Sequence, residues 1–254
     1  MRYLQTFEKF ITDTRRLLQG KISDVHDSIS LYKVADRIYA VVIEDDYLRG
    51  MVFMRCQEFY ESSSPEFQGQ KFTWNRYMDW YKSEGPGAGK EEFTYGADWA
   101  GFNLPSESIE KCMSDIDDPN EYDHCMASII KSIRKQESSN FYLLGVEKLD
   151  VNSDVLDHEM AHGFWYTDPE YKKSMLNLIQ KADKSLIKKL SDIIIGYGYN
   201  ESVLPDEVQA YLSTGLASKM QGFGLEELMP EFENNFQSFK LKHETQPIEI
   251  KIDY

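Results

Sequence analysis

The segment Asp157-His158-Glu159-Met160-Ala161-His162-Gly163 constrains this chain more than any other stretch. Two histidines four apart share chemistry only on a helix, where positions i and i+4 lie one turn apart on one face. The spacing predicts a helix over residues 154–166, opened by Asn152 or Ser153, that presents both imidazoles to one metal ion. Glu159, beside the first histidine, can reach a water at that ion without being a ligand, as a general base for hydrolysis requires. With five histidines in 254 residues, a chance His-Glu-x-x-His is on the order of one per cent. The competing reading is two satisfied helix histidines beside a surface glutamate.

Two imidazoles do not complete a hydrolytic zinc centre, which takes three protein ligands and keeps a position for water. Gly163 is followed by FWYTDPEY, without the third histidine of the longer His-Glu-x-x-His-x-x-Gly-x-x-His pattern. The third ligand therefore comes from elsewhere. Glu207 is the first candidate, near the start of a predicted helix opened by Pro205 whose small Ala210 allows close packing on the histidine helix. Asp206 and Glu201 are its nearest competitors, and His243 is a distant one.

On these residues the chain resembles the zincin metallopeptidases, in particular the gluzincins, in which His-Glu-x-x-His on one helix and a glutamate on a later helix bind zinc. The Gly-Tyr pair shortly before the Glu207 helix and the alanine after the glutamate are similar to the catalytic domain of anthrax-lethal-factor-like peptidases. The resemblance covers about residues 140–215. It implies Zn2+ held by His158, His162 and Glu207, Glu159 as catalytic base, and Tyr199 or Tyr197 as the hydrogen-bond donor to the oxyanion. It also implies hydrolysis of a peptide or protein amide bond, with an extended substrate added to an edge strand. Tyr142–Val146, just before the histidine helix, is the candidate edge; an interior strand is the alternative, because its apolar run does not alternate. Where many gluzincins carry an acidic residue one turn after the ligand glutamate, this chain has Tyr211, which leaves support for the metal ligands unassigned. A non-catalytic binding protein with a zinc-stabilised zincin fold is the alternative function.

Around this motif, periodicity predicts a helix over Tyr3–Leu18, a strand over Arg37–Glu44, helices over Tyr47–Tyr60 and Cys125–Ile133, and a strand over Asn140–Val146. Thr73 is expected to cap a helix whose Trp74, Tyr77, Met78 and Tyr81 face the core. Arg55, Gln57 and Glu58 are expected on exposed helix surface, with lining of a cleft as the alternative. Helices are expected to restart at Asp168-Pro169, to run from Lys184 to Ile195, and to span 225–240 with an interruption at Pro230. The fold class that follows is α+β and zincin-like: a mixed α/β lobe over 1–135 of unknown role, then a catalytic lobe over 136–254. The first lobe is expected to carry a small mixed sheet with aromatic-rich helices, packed on a mainly helical second lobe that holds the active-site helix and all the proposed zinc ligands.

Charge narrows the partners. With 28 Lys and Arg against 43 Asp and Glu, the chain carries −15, which argues against nucleic acid and anionic membranes. Residues 91–123 hold ten acidic side chains against Lys111 alone and are expected to be a solvated acidic stretch rather than a calcium loop, because Pro119 and Asn120 break the EF-hand pattern. Six lysines, Lys172, Lys173, Lys181, Lys184, Lys188 and Lys189, lie between the proposed ligands and are expected on solvated helix faces. EGPGAGK, residues 84–90, lacks the first glycine, the Ser or Thr and the preceding strand of a phosphate loop. Cys56, Cys112 and Cys125, without a C-x-x-C pair, suit free thiols in a reducing compartment. No apolar run approaches membrane-span length and the first residues lack a signal-peptide core. The expectation is a cytoplasmic protein acting on a peptide or protein, of undetermined oligomeric state.

Overall fold

The computed structural model describes residues 28–254 except 91, 115, 150–153, 198 and 200. The expected helix over Tyr3–Leu18 and the expected cap at Asn152 or Ser153 lie outside the described residues. The elements run β1 Ser30–Ala35, β2 Ile38–Val42, α1 Asp46–Glu61, α2 Trp74–Ser83, α3 Tyr95–Asp98, β3 Phe102–Pro105, α4 Ser106–Met113, α5 Glu121–Arg134 and β4 Tyr142–Val146. The remainder is α6 Asp154–Thr167, α7 Pro169–Lys181, α8 Lys184–Gly196, α9 Leu204–Thr214, α10 Met229–His243 and β5 Glu244–Ile250. The protein is thus mixed α+β with a small mixed sheet.

The five strands form one sheet in the order β3-β4-β2-β1-β5. Only β2 and β4 are parallel, and all other pairs are antiparallel. Strand side chains alternate between faces, and each face has its own core. Leu31, Tyr39, Val41 and Leu143 point to one core, shared with α1, α2, α4 and α5. Ala35, Ile38, Ala40, Tyr142 and Leu144 point to the other, shared with α6 to α10. The expected boundary at 135/136 falls between α5 and β4, where the chain changes face. Both halves contribute strands to the one sheet, β1 to β3 from the first and β4 and β5 from the second.

Strand β4 is hydrogen-bonded on both sides, to β2 and to β3. This corrects the expectation that Tyr142–Val146 is an edge: its unbroken apolar run reads as a strand covered on both faces. The edge on that side is β3, too short and too mixed, at Phe-Asn-Leu-Pro, to stand out in the sequence. Its alternation is nevertheless plain, with Phe102 and Leu104 entering the first core and Asn103 turned to α6, where it meets Glu159.

Helix α1 is buried continuously from Arg49 to Glu58, so the polar group of Arg55, Gln57 and Glu58 is interior rather than on exposed surface. Buried charges need partners, and most of these come from the acidic stretch. Arg55 Nε donates to Asp123 Oδ1 at 2.9 Å and its Nη1 to Asp118 Oδ1 at 3.1 Å and to the Phe72 carbonyl at 2.6 Å. Trp74 Nε1 donates to the second Asp123 oxygen, and Asn120 with Asp123 forms a capping box on α5. Asp118 and Asp123 therefore serve the core as counter-ions, and this part of the acidic stretch is not solvated as expected. Glu110 likewise pairs with Arg134 at 2.6 Å.

Most local expectations recur in the fold. Thr73 accepts from Arg76 N at the start of α2, and Trp74, Tyr77 and Tyr81 are buried. Asp168 caps α7 with Pro169 in its first turn. Pro230 occupies the first turn of α10, where its missing N–H leaves no bond unmade, so it starts that helix instead of interrupting it. All six lysines of the basic stretch are exposed. The three cysteines are free and buried. Among the described residues, no helix is long and apolar enough to cross a membrane.

Arg55→Ala is expected to lower stability by about 3–5 kcal/mol, because it leaves Asp123 buried and uncompensated; urea unfolding monitored by circular dichroism measures the loss.

Candidate metal centre

Helix α6 lies across the sheet with its motif facing α9. Gly163 permits this approach, since a Cβ there would stand 2.8 Å from Ile38 Cδ1 on β2. Lys240 on α10 donates to Asp157 at 2.6 Å and ties the start of the motif to the last helix. Ala210, fully buried, lets α9 pack closely on α6.

In that contact His158, His162 and Glu207 converge, with one ligand atom from each within 4.8 Å of the others. The imidazole Nε2 atoms face each other at 3.3 Å, and His162 Nε2 lies 3.6 Å from Glu207 Oε1. Both Nδ1 atoms are engaged elsewhere. His162 Nδ1 is 2.9 Å from Asp206 Oδ1. His158 Nδ1 is 3.2 Å from Thr214 Oγ1, whose own proton goes to the Ala210 carbonyl at 2.8 Å, so Thr214 accepts. These partners assign both protons to Nδ1 and leave two Nε2 lone pairs opposed. Opposed lone pairs and a carboxylate need a positive charge among them.

The titration of the group expresses the same demand. Burial, then the neighbouring His162, pushes His158 down to about 3. Burial alone would lower His162, but the Asp206 and Glu207 carboxylates override it and hold this imidazole well above the usual range. Burial lifts Glu207 to about 7, with His162 opposing the rise. Glu207 Oε2 has no hydrogen-bond partner although it is buried. Two neutral imidazole nitrogens, one carboxylate oxygen, an orphaned acceptor and hydrogen-bonded Nδ1 atoms fit a divalent metal of the zinc type.

Asp206, which the sequence offered as a competing ligand, instead orients His162, and it is held in turn by Gln209 Nε2 at 3.0 Å. Gln209 Oε1 accepts from Tyr171 at 2.7 Å. The other competitors are elsewhere: Glu201 is exposed in a single 3-10 turn, and His243 pairs with Asp168 at 3.2 Å. Tyr211, one turn after Glu207, supports no nitrogen but packs its ring on His158, with centroids 4.8 Å apart.

Glu159 enters the same cavity, of about 420 Å³, from beside the ligands. Asn103 Nδ2 donates to its Oε2 at 2.8 Å, and the Asn103 carbonyl oxygen accepts from Tyr142 OH at 2.6 Å, which fixes the amide's orientation. Gly101 leaves room for this carboxylate; a Cβ there would stand 2.7 Å from Glu159 Oε1. Burial raises the Glu159 carboxyl, with His162 and the Asn103 hydrogen bond opposing. Tyr199 lines the cavity and is hydrogen-bonded to Tyr211. Tyr197 is exposed and lines a neighbouring cavity instead.

Residues missed by sequence reading also line the cavity. Asn103 had no signal, standing in an unrecognised strand. Gln57 and Glu61 arrive from the end of α1, and Gln57 was visible only as part of the polar group on that helix. Gln57 Nε2 donates to Glu61 Oε1. Burial, then the Glu207 charge, raises the Glu61 carboxyl well above the usual range.

Metal binding must displace the proton that the raised His162 holds and, below about pH 7, the one on Glu207 as well, so affinity is expected to fall with pH by up to about tenfold per unit for each proton displaced. If the group holds a divalent metal, Asp206→Asn is expected to weaken its binding about 10–100-fold while leaving the fold intact; competition against a chromogenic chelator across pH 5.5–8 measures both effects. The chain matches no family model, no curated protein and no solved structure, so what it does is read from the geometry of this centre.

Proposed function

We propose that this chain is a zinc-dependent metallopeptidase of zincin-like fold, which hydrolyses a peptide or protein amide bond. The observation that carries the reading is the position of Glu159: its carboxylate shares a cavity with three converging ligand atoms and belongs to none of them. A buried carboxyl with a raised pKa, aligned by Asn103, is suited to take a proton from water and return it to a leaving amine. Zinc held by His158, His162 and Glu207 would supply the Lewis acidity that activates water and polarises a carbonyl.

The other parts of the cavity agree with this division of labour. Tyr199 keeps its proton, because burial and then the Glu207 charge raise its hydroxyl far above the ordinary range. That proton goes to Tyr211 at rest, and on this reading it turns to the oxyanion as charge develops there. Strand β3 ends the sheet beside the cavity, with Gly101, Phe102 and Asn103 in its lining. An extended peptide added antiparallel to this edge brings its backbone past Glu159. The small mixed sheet with its edge strand, and the motif helix crossing behind it, support the zincin-like reading.

In a peptide-library digest with zinc-loaded protein, Glu159→Gln is expected to lower kcat by about 10²–10⁴-fold with zinc content unchanged. Equal cleavage by this variant overturns the enzyme reading and leaves a zinc-stabilised binding protein. Tyr199→Phe is expected to reduce kcat by about 10²–10³-fold with KM little altered, as read in steady-state assays on one cleaved peptide.

A further inference from the structure

A second cavity, of about 120 Å³, opens beside the metal centre, and the two share Gln57, Glu61, Trp99 and Tyr199 in their walls. It is comparable to an engineered protein cavity of ~150 Å³ that takes a benzene, so it accommodates one side chain. Its walls are aromatic, formed by Tyr77, Trp80, Trp99, Tyr197 and Tyr199, and its remaining lining includes the carboxyls of Glu58 and Glu61 with no basic residue. Gln57 is 8% exposed, and its carbonyl oxygen has no hydrogen-bond partner. The cavity thus offers two carboxyls and several ring faces, with no basic residue in its lining.

Glu58 already accepts from Tyr95 OH at 2.8 Å and from the side chains of Ser62 and Tyr77, which leaves about one of a carboxylate's roughly four lone-pair sites for a further donor. Ring faces attract ammonium and guanidinium groups, and Tyr197 already receives Lys219 at 5.7 Å from its centroid. An acidic side chain would meet like charge here, and a purely aliphatic one would leave the two carboxyls without a counter-ion. From this lining we propose that the second cavity is a specificity subsite for a cationic side chain, lysine or arginine, of the peptide cleaved at the metal centre. The inference rests on the peptidase reading for its substrate, and on the cavity's own chemistry for the charge it selects.

Two measurements on the full chain separate those supports. In the metal-free protein, tryptophan fluorescence is titrated with butylammonium and with neutral butanol. Butylammonium is expected to bind at least about fivefold more tightly. Ser63→Lys, which places a cation at an exposed position of the lining, is expected to abolish the difference, as is Glu61→Gln. In the zinc-loaded protein, peptides differing at single positions around the scissile bond are compared. At one position Lys or Arg is expected to raise kcat/KM about tenfold over Gln, with the ratio falling below about twofold in Ser63→Lys. Ammonium selectivity without cleavage of any peptide supports the cation site and overturns the peptidase reading. Cleavage without preference for Lys or Arg, or butanol binding as tightly as butylammonium, overturns this inference.

Discussion

The structure turns on the contact between α6 and α9, where two imidazoles and two carboxylates are removed from water together. Such groups are costly to bury unless each polar atom is answered. Asp206 and Thr214 answer the Nδ1 atoms. The Nε2 pair and Glu207 remain, and only a positive charge among them completes the set. Without a metal, the demand falls on protons, and the separated pKa values of His158, His162 and Glu207 are its expression. The sheet and Gly163 bring α6 to that place, and Lys240 fastens it.

A second buried polar system, on the opposite face of the sheet, supports the first. Arg55 gathers Asp118, Asp123 and the Phe72 carbonyl around the middle of α1. The same helix then delivers Gln57 and Glu61 to the cavity that holds His158, His162 and Glu207, and Glu58 to its neighbour. Asp118 and Asp123 of the acidic stretch thereby become counter-ions for a helix buried from Arg49 to Glu58. The net charge of −15 still argues against polyanion partners, and part of it is spent inside the molecule. The lysines between the ligands stay outside, on the exposed faces of α7 and α8.

What the sequence determined by itself is local. The i, i+4 histidines and the intervening glutamate required a helix and one shared face, because helical geometry alone places them there. Thr73, Asp168 and Pro169 marked helix starts because capping and proline's fixed φ act within a few residues. Glu207 was a first candidate among several acids, preferred for the small residue beside it on a later helix. The tertiary structure decided the rest. Strand β3 has only four residues, and β1 and β5 mix polar with apolar positions; all three gain meaning only from their neighbours, so the true edge beside the cavity was invisible and β4 was read in its place. Asp206 could be distinguished from a ligand only when the distance to His162 Nδ1 was known. Asn103, Gln57 and Glu61 reach the motif across 56 or more residues of chain, and no spacing rule spans that separation; packing of α1 and β3 against the motif helix put them there.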